Sequence, residues 1–340
     1  MRRIKRDQFI MMITPITSKA FCKSIEKALA APPDLNSSLA RVQSSLNRLP
    51  NGQLFTYTQN GKVSFITIAD GKRKYLSKST SLVYSLARRR YQSTLLEILK
   101  LSDSPRKKDC VRRTNLISNM QRFICICEKG NLDIAKVVLT GTQYKWYSGG
   151  FVQKAINEAK STKTANGLIV RSKSERDIIN AYDDYAVPLH YEEQQVIYVK
   201  PLVDKLNESL ITNGFLSGGA YARQLYDFRG NYIHWNVPAE LEWMNAPGSV
   251  WKTYYPPRGT IKIHVDIRTM FADGSFFLHE HEGMMDSFAY RCNASERSSV
   301  LKYTGTVQPE NFLETYEHDV DTPEKRIALI EDYVIPRLWF

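Results

Sequence analysis

The stretch that decides the fold spans residues 260–282 and reads TIKIHVDIRTMFADGSFFLHEHE. Residues 260–269 and 275–282 have the composition of strands, and Asp273-Gly274 between them is a turn signal, so a β-hairpin is predicted. Side chains alternate between the two faces of a strand, so Asp266 shares its face with the residues two and four positions before it. A tight turn then brings Asp266 and Glu280 side by side.

Two adjacent carboxylates repel each other, and the arrangement is costly unless a cation joins them. Oxygen ligands favour Mg²⁺, Mn²⁺ or Ca²⁺ over zinc. Such an ion polarises a scissile phosphate and activates a water molecule. The hairpin therefore predicts a divalent-metal site at Asp266 and Glu280.

Two other interpretations of the hairpin stay open. In the first, its charged face is simply hydrated. In the second, His264, His279 and His281 bind zinc. Strand alternation puts His264 on the opposite face from the other two, which disfavours this zinc site.

Charge is divided unevenly along the 340 residues. Residues 1–165 contain 30 Lys and Arg against 10 Asp and Glu, whereas residues 166–340 contain 17 against 25. A cationic half suits a polyanion such as DNA, because each neutralised phosphate releases counterions. A basic surface that only aids solubility is the alternative. The candidate contacts with a nucleic-acid backbone are Arg88, Arg89, Arg90, Arg106, Lys107, Lys108, Arg112 and Arg113.

The N-terminal half divides into two predicted parts. Residues 1–50 are expected to form helices, broken at Ala31-Pro32-Pro33. Residues 51–165 are expected to form a basic β-hairpin and a helical region. In chain order they contain strands over 53–57, 62–69 and 73–76, a helix from Ser79, a charged connector over 102–113, one or two helices over 116–139, and a linker over 141–165.

Residues 166–340 are predicted to form a mixed α/β domain. Its order is helix, strand, strand, strand, helix, strand, helix, with an insertion over about 200–259. Ser172 can cap the first helix, and Glu175 favours the positive end of its dipole. The other elements are expected at 187–199, 260–269, 275–282, 287–303, 311–316 and from Thr322.

Bulk composition excludes several classes of protein. With 43% hydrophobic and 24% charged residues the chain has the composition of a soluble globular protein, and it contains no apolar stretch of the ~20 residues that span a bilayer. Five scattered cysteines indicate reduced thiols, so a cytoplasmic location without a membrane partner is expected.

The chain resembles the PD-(D/E)xK, or restriction-endonuclease-like, nuclease superfamily over most of its length, except residues 1–35 and 200–259. More narrowly, it is similar to an uncharacterised bacterial and phage branch of that superfamily. The residues that carry this resemblance are Ser172 to Glu175, Tyr191-Glu192, Val265-Asp266-Ile267, and residues 279–286, which read HEHEGMMD. The resemblance implies a restriction-endonuclease-like core and a Mg²⁺- or Mn²⁺-dependent enzyme that cuts DNA, or alternatively RNA, with a homodimer as one possible assembly.

The same resemblance implies roles for individual residues. Asp266 and Glu280 would be the metal ligands, and Glu175 would be an auxiliary acidic residue that reaches in from the helix. The family has a catalytic lysine two residues after the second ligand, where this chain has Glu282. Glu282 could bind a second ion, or Lys262 or Lys302 could supply the missing charge. An inactive nuclease fold that only binds nucleic acid, and a zinc enzyme or other phosphate-ester hydrolase, remain as alternatives.

Overall fold

The structure is a computed structural model. It describes residues 8–10, 15–30, 32, 34–69, 72–156, 161–198, 260–283, 294, 297–298, 301 and 306–340, and all structural statements concern these ranges. The insertion predicted at about 200–259 therefore lies outside them, as does most of the helix predicted over 287–303.

Helices occur throughout the described part of the chain. They are α1 (Ser18–Ala30), α2 (Leu35–Asn47), α3 (Ser81–Lys100), α4 (Lys107–Lys129), α5 (Ile134–Val138), α6 (Gly141–Tyr147), α7 (Lys173–Asp184), α8 (Glu317–Val320), α9 (Pro323–Leu329) and α10 (Ile335–Leu338), with a π-helical turn at Ile330–Val334. None of the helices in the described ranges has the length and apolar character needed to cross a membrane.

The strands form one large sheet and two small ones. They are β1 (Gln8–Ile10), β2 (Phe55–Gln59), β3 (Lys62–Ala69), β4 (Lys72–Leu76), β5 (Phe151–Gln153), β6 (Thr162–Lys163), β7 (Ile169–Val170), β8 (Leu189–Tyr198), β9 (Thr260–Met270), β10 (Phe276–Glu282) and β11 (Phe312–Tyr316). The large sheet has the order β1-β5-β8-β9-β10-β11, β2-β3-β4 form a second sheet, and β6 pairs with β7.

Pairing in the large sheet is mixed. Its neighbours are antiparallel except β10 and β11, which run parallel. A parallel pair needs a crossover connection, and residues 294, 297, 298 and 301 within that connection are helical. Leu301 packs with Val265, Leu278 and Phe312 in a small core separate from the main one. The predicted mixed α/β class, with a mixed sheet flanked by helices, is confirmed.

One large hydrophobic core joins the two halves of the sequence. It contains Phe21 and Tyr91 from the N-terminal half, and Tyr182 and Trp339 from the C-terminal half. The rings of Phe21 and Trp339 meet edge to face, with centroids 4.9 Å apart. The predicted functional division at residue 165 therefore does not coincide with a break in the core.

Three segments differ from the prediction. Residues 8–10, within the part expected to form helices, are strand β1 and pair with β5. The charged connector over 102–113 is helical from Lys107, because α4 extends further towards the N-terminus than its apolar residues indicate. The linker over 141–165 contains α6, which is closed by a capping box between Thr140 and Gln143, and the strand β5. Three residues are too few for strand alternation to be recognised in the sequence.

Candidate functional site

A row of acidic side chains crosses the large sheet. The register places Glu192 of β8, Asp266 of β9 and Glu280 of β10 level with one another, since the residues beside them pair directly. Their exposed fractions are only 1%, 2% and 1%. The predicted proximity of Asp266 and Glu280 is present, and Glu192 extends the pair to three carboxylates.

Arg171 joins three carboxylates at one end of this row. Its Nη2 lies 2.8 Å from Oδ1 of Asp266, 2.5 Å from Oε1 of Glu192 and 3.3 Å from Oε1 of Glu175. The second oxygen of Asp266 accepts a hydrogen bond from the backbone N–H of His281 at 2.8 Å. Asp266 is thus oriented from both sides, by a guanidinium group and by the neighbouring strand.

Arg297 occupies the other end of the row. Its Nη2 donates to Oε1 of Glu282 at 2.6 Å, and its Nε lies 3.3 Å from Oε2 of Glu280. Among the described residues, neither oxygen of Glu280 accepts a hydrogen bond. Arg297 therefore supplies positive charge beside Glu280 and Glu282. Lys302 and the side chain of Lys262, the two lysines considered for the role of the family lysine, lie outside the described residues.

Burial and the charge of Asp266 make Glu192 and Glu280 hard to ionise. Burial, followed by the charge of Asp266, raises the pKa of Glu280 well above its ordinary value. Burial also raises the pKa of Glu192, which reaches about 7 although Arg171 opposes the shift. With Glu175 and Glu282 included, five carboxylates share two arginines, an excess of three negative charges when all are ionised.

Glu175 closes the first turn of α7. Ser172 and Glu175 form a reciprocal capping box, in which the bond accepted by the Ser172 side chain is the cap predicted from the sequence. The Oε2 atom of Glu175 accepts hydrogen bonds from the backbone N–H groups of Arg171 and Ser172, at 3.0 and 3.1 Å, and from the hydroxyl of Tyr191 at 2.6 Å. These contacts orient Arg171 towards the row, while the role of Glu175 as an auxiliary metal ligand stays a prediction.

Strand β5 supports the row from the far side of β8. Glu192 has a φ of +53°, a left-handed conformation that is unfavourable for a residue with a side chain. The amide of Gln153 donates to the carbonyl of Tyr191 at 3.1 Å, and the backbone N–H of Lys154 lies 3.3 Å from the carbonyl of Glu192. The charge of Lys154 also lowers the pKa of Glu192. Because residues 141–165 have the composition of a linker, the sequence alone does not indicate that Lys154 acts on the row.

The donor set of the row consists of carboxylate oxygens, which fits Mg²⁺ or Mn²⁺ better than zinc. The unbonded oxygens of Glu280 are buried acceptors that such an ion would satisfy. Within the described ranges, however, no three His, Cys, Asp or Glu side chains are already arranged around one point as metal ligands. Metal binding would therefore require the carboxylates to turn away from Arg171 and Arg297.

The histidines of the hairpin are engaged elsewhere. In His279, Nδ1 lies 3.0 Å from the hydroxyl of Tyr182 and Nε2 lies 2.9 Å from that of Thr315. Burial lowers the pKa of His279 to about 3, so it is neutral. The Nε2 atom of His281 lies 3.0 Å from Glu317. Because both ring nitrogens of His279 already have partners, nothing in this geometry favours the zinc interpretation.

Four of the eight predicted nucleic-acid contacts, three on α3 and one on α4, are used inside the protein. The guanidinium groups of Arg88, Arg89, Arg90 and Arg113 donate to backbone carbonyls of Lys136, of Leu46 and Leu49, of Leu54 and of Leu29, respectively. Arg106, Lys107, Lys108 and Arg112 are exposed, and Arg112 pairs with Glu97 at 3.2 Å. Contacts between these eight residues and a nucleic acid stay a prediction.

Comparisons with known proteins give no relative on which to base an assignment. No family model, curated protein or solved structure matches the chain.

Proposed function

We propose that the chain is a divalent-metal-dependent nuclease, an endonuclease that hydrolyses phosphodiester bonds of DNA with Mg²⁺ or Mn²⁺. The observation that carries this proposal is the row of Glu192, Asp266 and Glu280, three buried carboxylates at one level of three adjacent strands. Grouping buried carboxylates is unfavourable for folding, and strongly perturbed acids are typical of functional sites.

The element order supports a restriction-endonuclease-like core. Helix α7 is followed by the antiparallel strands β8, β9 and β10, and then by β11, which runs parallel to β10. This is the order that the resemblance to PD-(D/E)xK nucleases implies, with the acidic pair on its second and third strands. The assignment of this core remains part of the proposal.

Asp266 and Glu280 would hold the ion, and Glu192 is the third residue placed to do so. When bound, the ion would supply Lewis-acid stabilisation of the phosphate and lower the pKa of a bound water. Arg171 and Arg297 neutralise part of the row and fix the directions of Asp266 and Glu282. These two arginines would also offset charge on a phosphate that approaches the site.

We assign to Lys154 the role of the catalytic lysine that the PD-(D/E)xK family has where this chain has Glu282. Lys154 lies at the end of β5, its side chain is exposed, and its charge acts on Glu192. An exposed ammonium beside the row could hold a scissile phosphate or orient the attacking water, which is what the family lysine does.

The proposal is tested with supercoiled plasmid and the purified protein in Mg²⁺ or Mn²⁺. Asp266→Asn and Glu280→Gln should each reduce nicking by more than about 100-fold, since a bound ion supplies several kcal/mol to the transition state. Glu310→Gln, which removes an exposed carboxylate, is the matched control and should cut normally. Equal nicking by all four proteins, or none by the parent under any divalent ion, would overturn the proposal.

A binding-only protein is the second candidate function. The observation in its favour is that arginines already pair with Asp266, Glu192 and Glu282. Their guanidinium groups therefore lie beside the place where an ion would bind. Such a protein would retain DNA in a salt-sensitive manner without cleavage, and Asp266→Asn would leave that retention unchanged.

A further inference from the structure

The small sheet β2-β3-β4 has one face in the core and a largely exposed outer face, on which Ile66 is buried between exposed side chains. On the core side, Val63 and Phe65 are buried. The opposite side carries three aromatic rings, Phe55, Tyr57 and Tyr75, which are 40%, 48% and 66% exposed. Several large rings together on one exposed face indicate a binding surface more strongly than a single exposed ring does.

The register separates these rings in a regular way. Phe55 pairs with Ile66 and Ile66 pairs with Tyr75, so Phe55 and Tyr75 lie in line across the three strands. Tyr57 is two residues beyond Phe55 on the same strand. Strand geometry puts neighbouring positions about 7 Å apart along a strand and about 10 Å apart across two strands. Each ring can therefore take a separate flat partner.

The same segment is strongly basic. Residues 51–80 contain five basic side chains, Lys62, Lys72, Arg73, Lys74 and Lys78, against the single acidic residue Asp70. Alternation and register place Lys62 and Arg73 on the aromatic face, and the described Lys and Arg side chains of the sheet are exposed. This charge complements a polyanion.

A cavity of about 570 Å³ adjoins Phe55, and Arg89, Arg90 and Glu97 of α3 lie in its wall. The guanidinium groups of the two arginines donate to backbone carbonyls, so the charge argument rests on the side chains of the sheet itself.

We propose that the outer face of β2-β3-β4, defined by Phe55, Tyr57, Tyr75, Lys62 and Arg73, binds single-stranded nucleic acid by stacking unpaired bases on its rings. The identity of the polyanion rests on the proposed nuclease function. A duplex hides its base faces, so exposed rings favour an unpaired strand. A protein partner would account for the rings but not for the excess of positive charge.

The test is fluorescence anisotropy with labelled oligothymidine of about 20 nucleotides, longer than the ~4–16 that one such surface covers, and with a duplex of equal length. Without divalent ions, the single strand should bind more tightly than the duplex. Tyr75→Ala should weaken that binding about 10-fold and Tyr57→Ala/Tyr75→Ala about 100-fold. Tyr75→Phe, which keeps the ring, and Ile68→Ala, which removes an exposed aliphatic group from the same face, should change it less than about 2-fold.

Asp266→Asn separates this inference from the nuclease proposal. It should bind the oligonucleotide like the parent, and the effects of Tyr57 and Tyr75 substitutions should persist even if no variant cuts DNA. Tighter binding of the duplex, equal loss in Ile68→Ala, or no binding of either oligonucleotide would overturn the inference. If neither oligonucleotide binds, a protein partner becomes the better explanation of the aromatic face.

Discussion

Glu192 combines three unfavourable features in one residue. It is 1% exposed, it faces Asp266 along the row, and its backbone is left-handed. Arg171 offsets only part of this cost, because the pKa of Glu192 still rises from 4.5 to about 7. A residue with these features is more readily explained by binding than by stability.

This pKa shift predicts how stability depends on pH. The folded protein holds the Glu192 proton more tightly than the unfolded chain does, so the stabilisation is complete below pH 4.5 and is lost as pH rises towards 7. The decline should reach about 3 kcal/mol. Urea unfolding between pH 4 and 8, without divalent ions, should show a shallower decline for Glu192→Gln than for the parent. The exposed-site variant Glu310→Gln should retain the parent slope, and identical slopes in all three proteins would contradict the shift.

Lys154 gives a second prediction at this scale. Lys154→Met should reduce plasmid nicking about 10- to 100-fold, the range for a group that takes part in proton transfer or positioning. Because Lys154 is not a ligand, Mn²⁺ affinity should not fall. Lys163→Met removes another exposed lysine and should leave nicking unchanged. Normal nicking by Lys154→Met would remove this residue from the proposed mechanism.

Among the elements, α7 connects helix capping to the candidate site. Ser172 and Glu175 cap its first turn, and the same carboxylate holds Arg171 against Asp266. Helix formation and orientation of the acidic row therefore depend on the same few atoms.

Removal of this cap should affect both stability and the site. Ser172→Ala should cost about 1 kcal/mol in the free energy of unfolding, measured with urea, and should also change Mn²⁺ affinity. Asp34→Ala removes the N-cap of α2 and should cost a similar amount without changing metal affinity. If both variants bind Mn²⁺ like the parent, the link between the cap and the site is absent.

The same elements show what the sequence could predict. Alternation and the Asp273-Gly274 turn located β9 and β10, and the capping pattern located α7, because these signals are local. Arg297 and Lys154 could not be found in this way, since they reach the site through packing of the crossover segment and of β5. Charge alone predicts Arg88 to Arg90 as nucleic-acid contacts, whereas their bonds to carbonyls depend on neighbours far away in the sequence.

For the whole molecule, the continuous core predicts cooperative unfolding. Trp339 is 4% exposed, packs on Phe21, and donates from Nε1 to the hydroxyl of Ser24 at 2.7 Å. Trp339→Ala should cost about 3–5 kcal/mol. Circular dichroism and tryptophan fluorescence should follow one shared transition at a lower urea concentration. Tyr75→Ala, at an exposed ring, should barely move it, and two separated transitions in the parent would contradict a shared core.

The central claim, that the row of Glu192, Asp266 and Glu280 binds a divalent ion, is tested most directly by crystals soaked in Mn²⁺. Anomalous difference density should lie between Asp266 and Glu280, within reach of Glu192, with the carboxylates turned from Arg171 and Arg297 towards it. Crystals of Asp266→Asn should lack that density. A row that stays paired with its arginines at saturating Mn²⁺, with no density beside it, would contradict the claim.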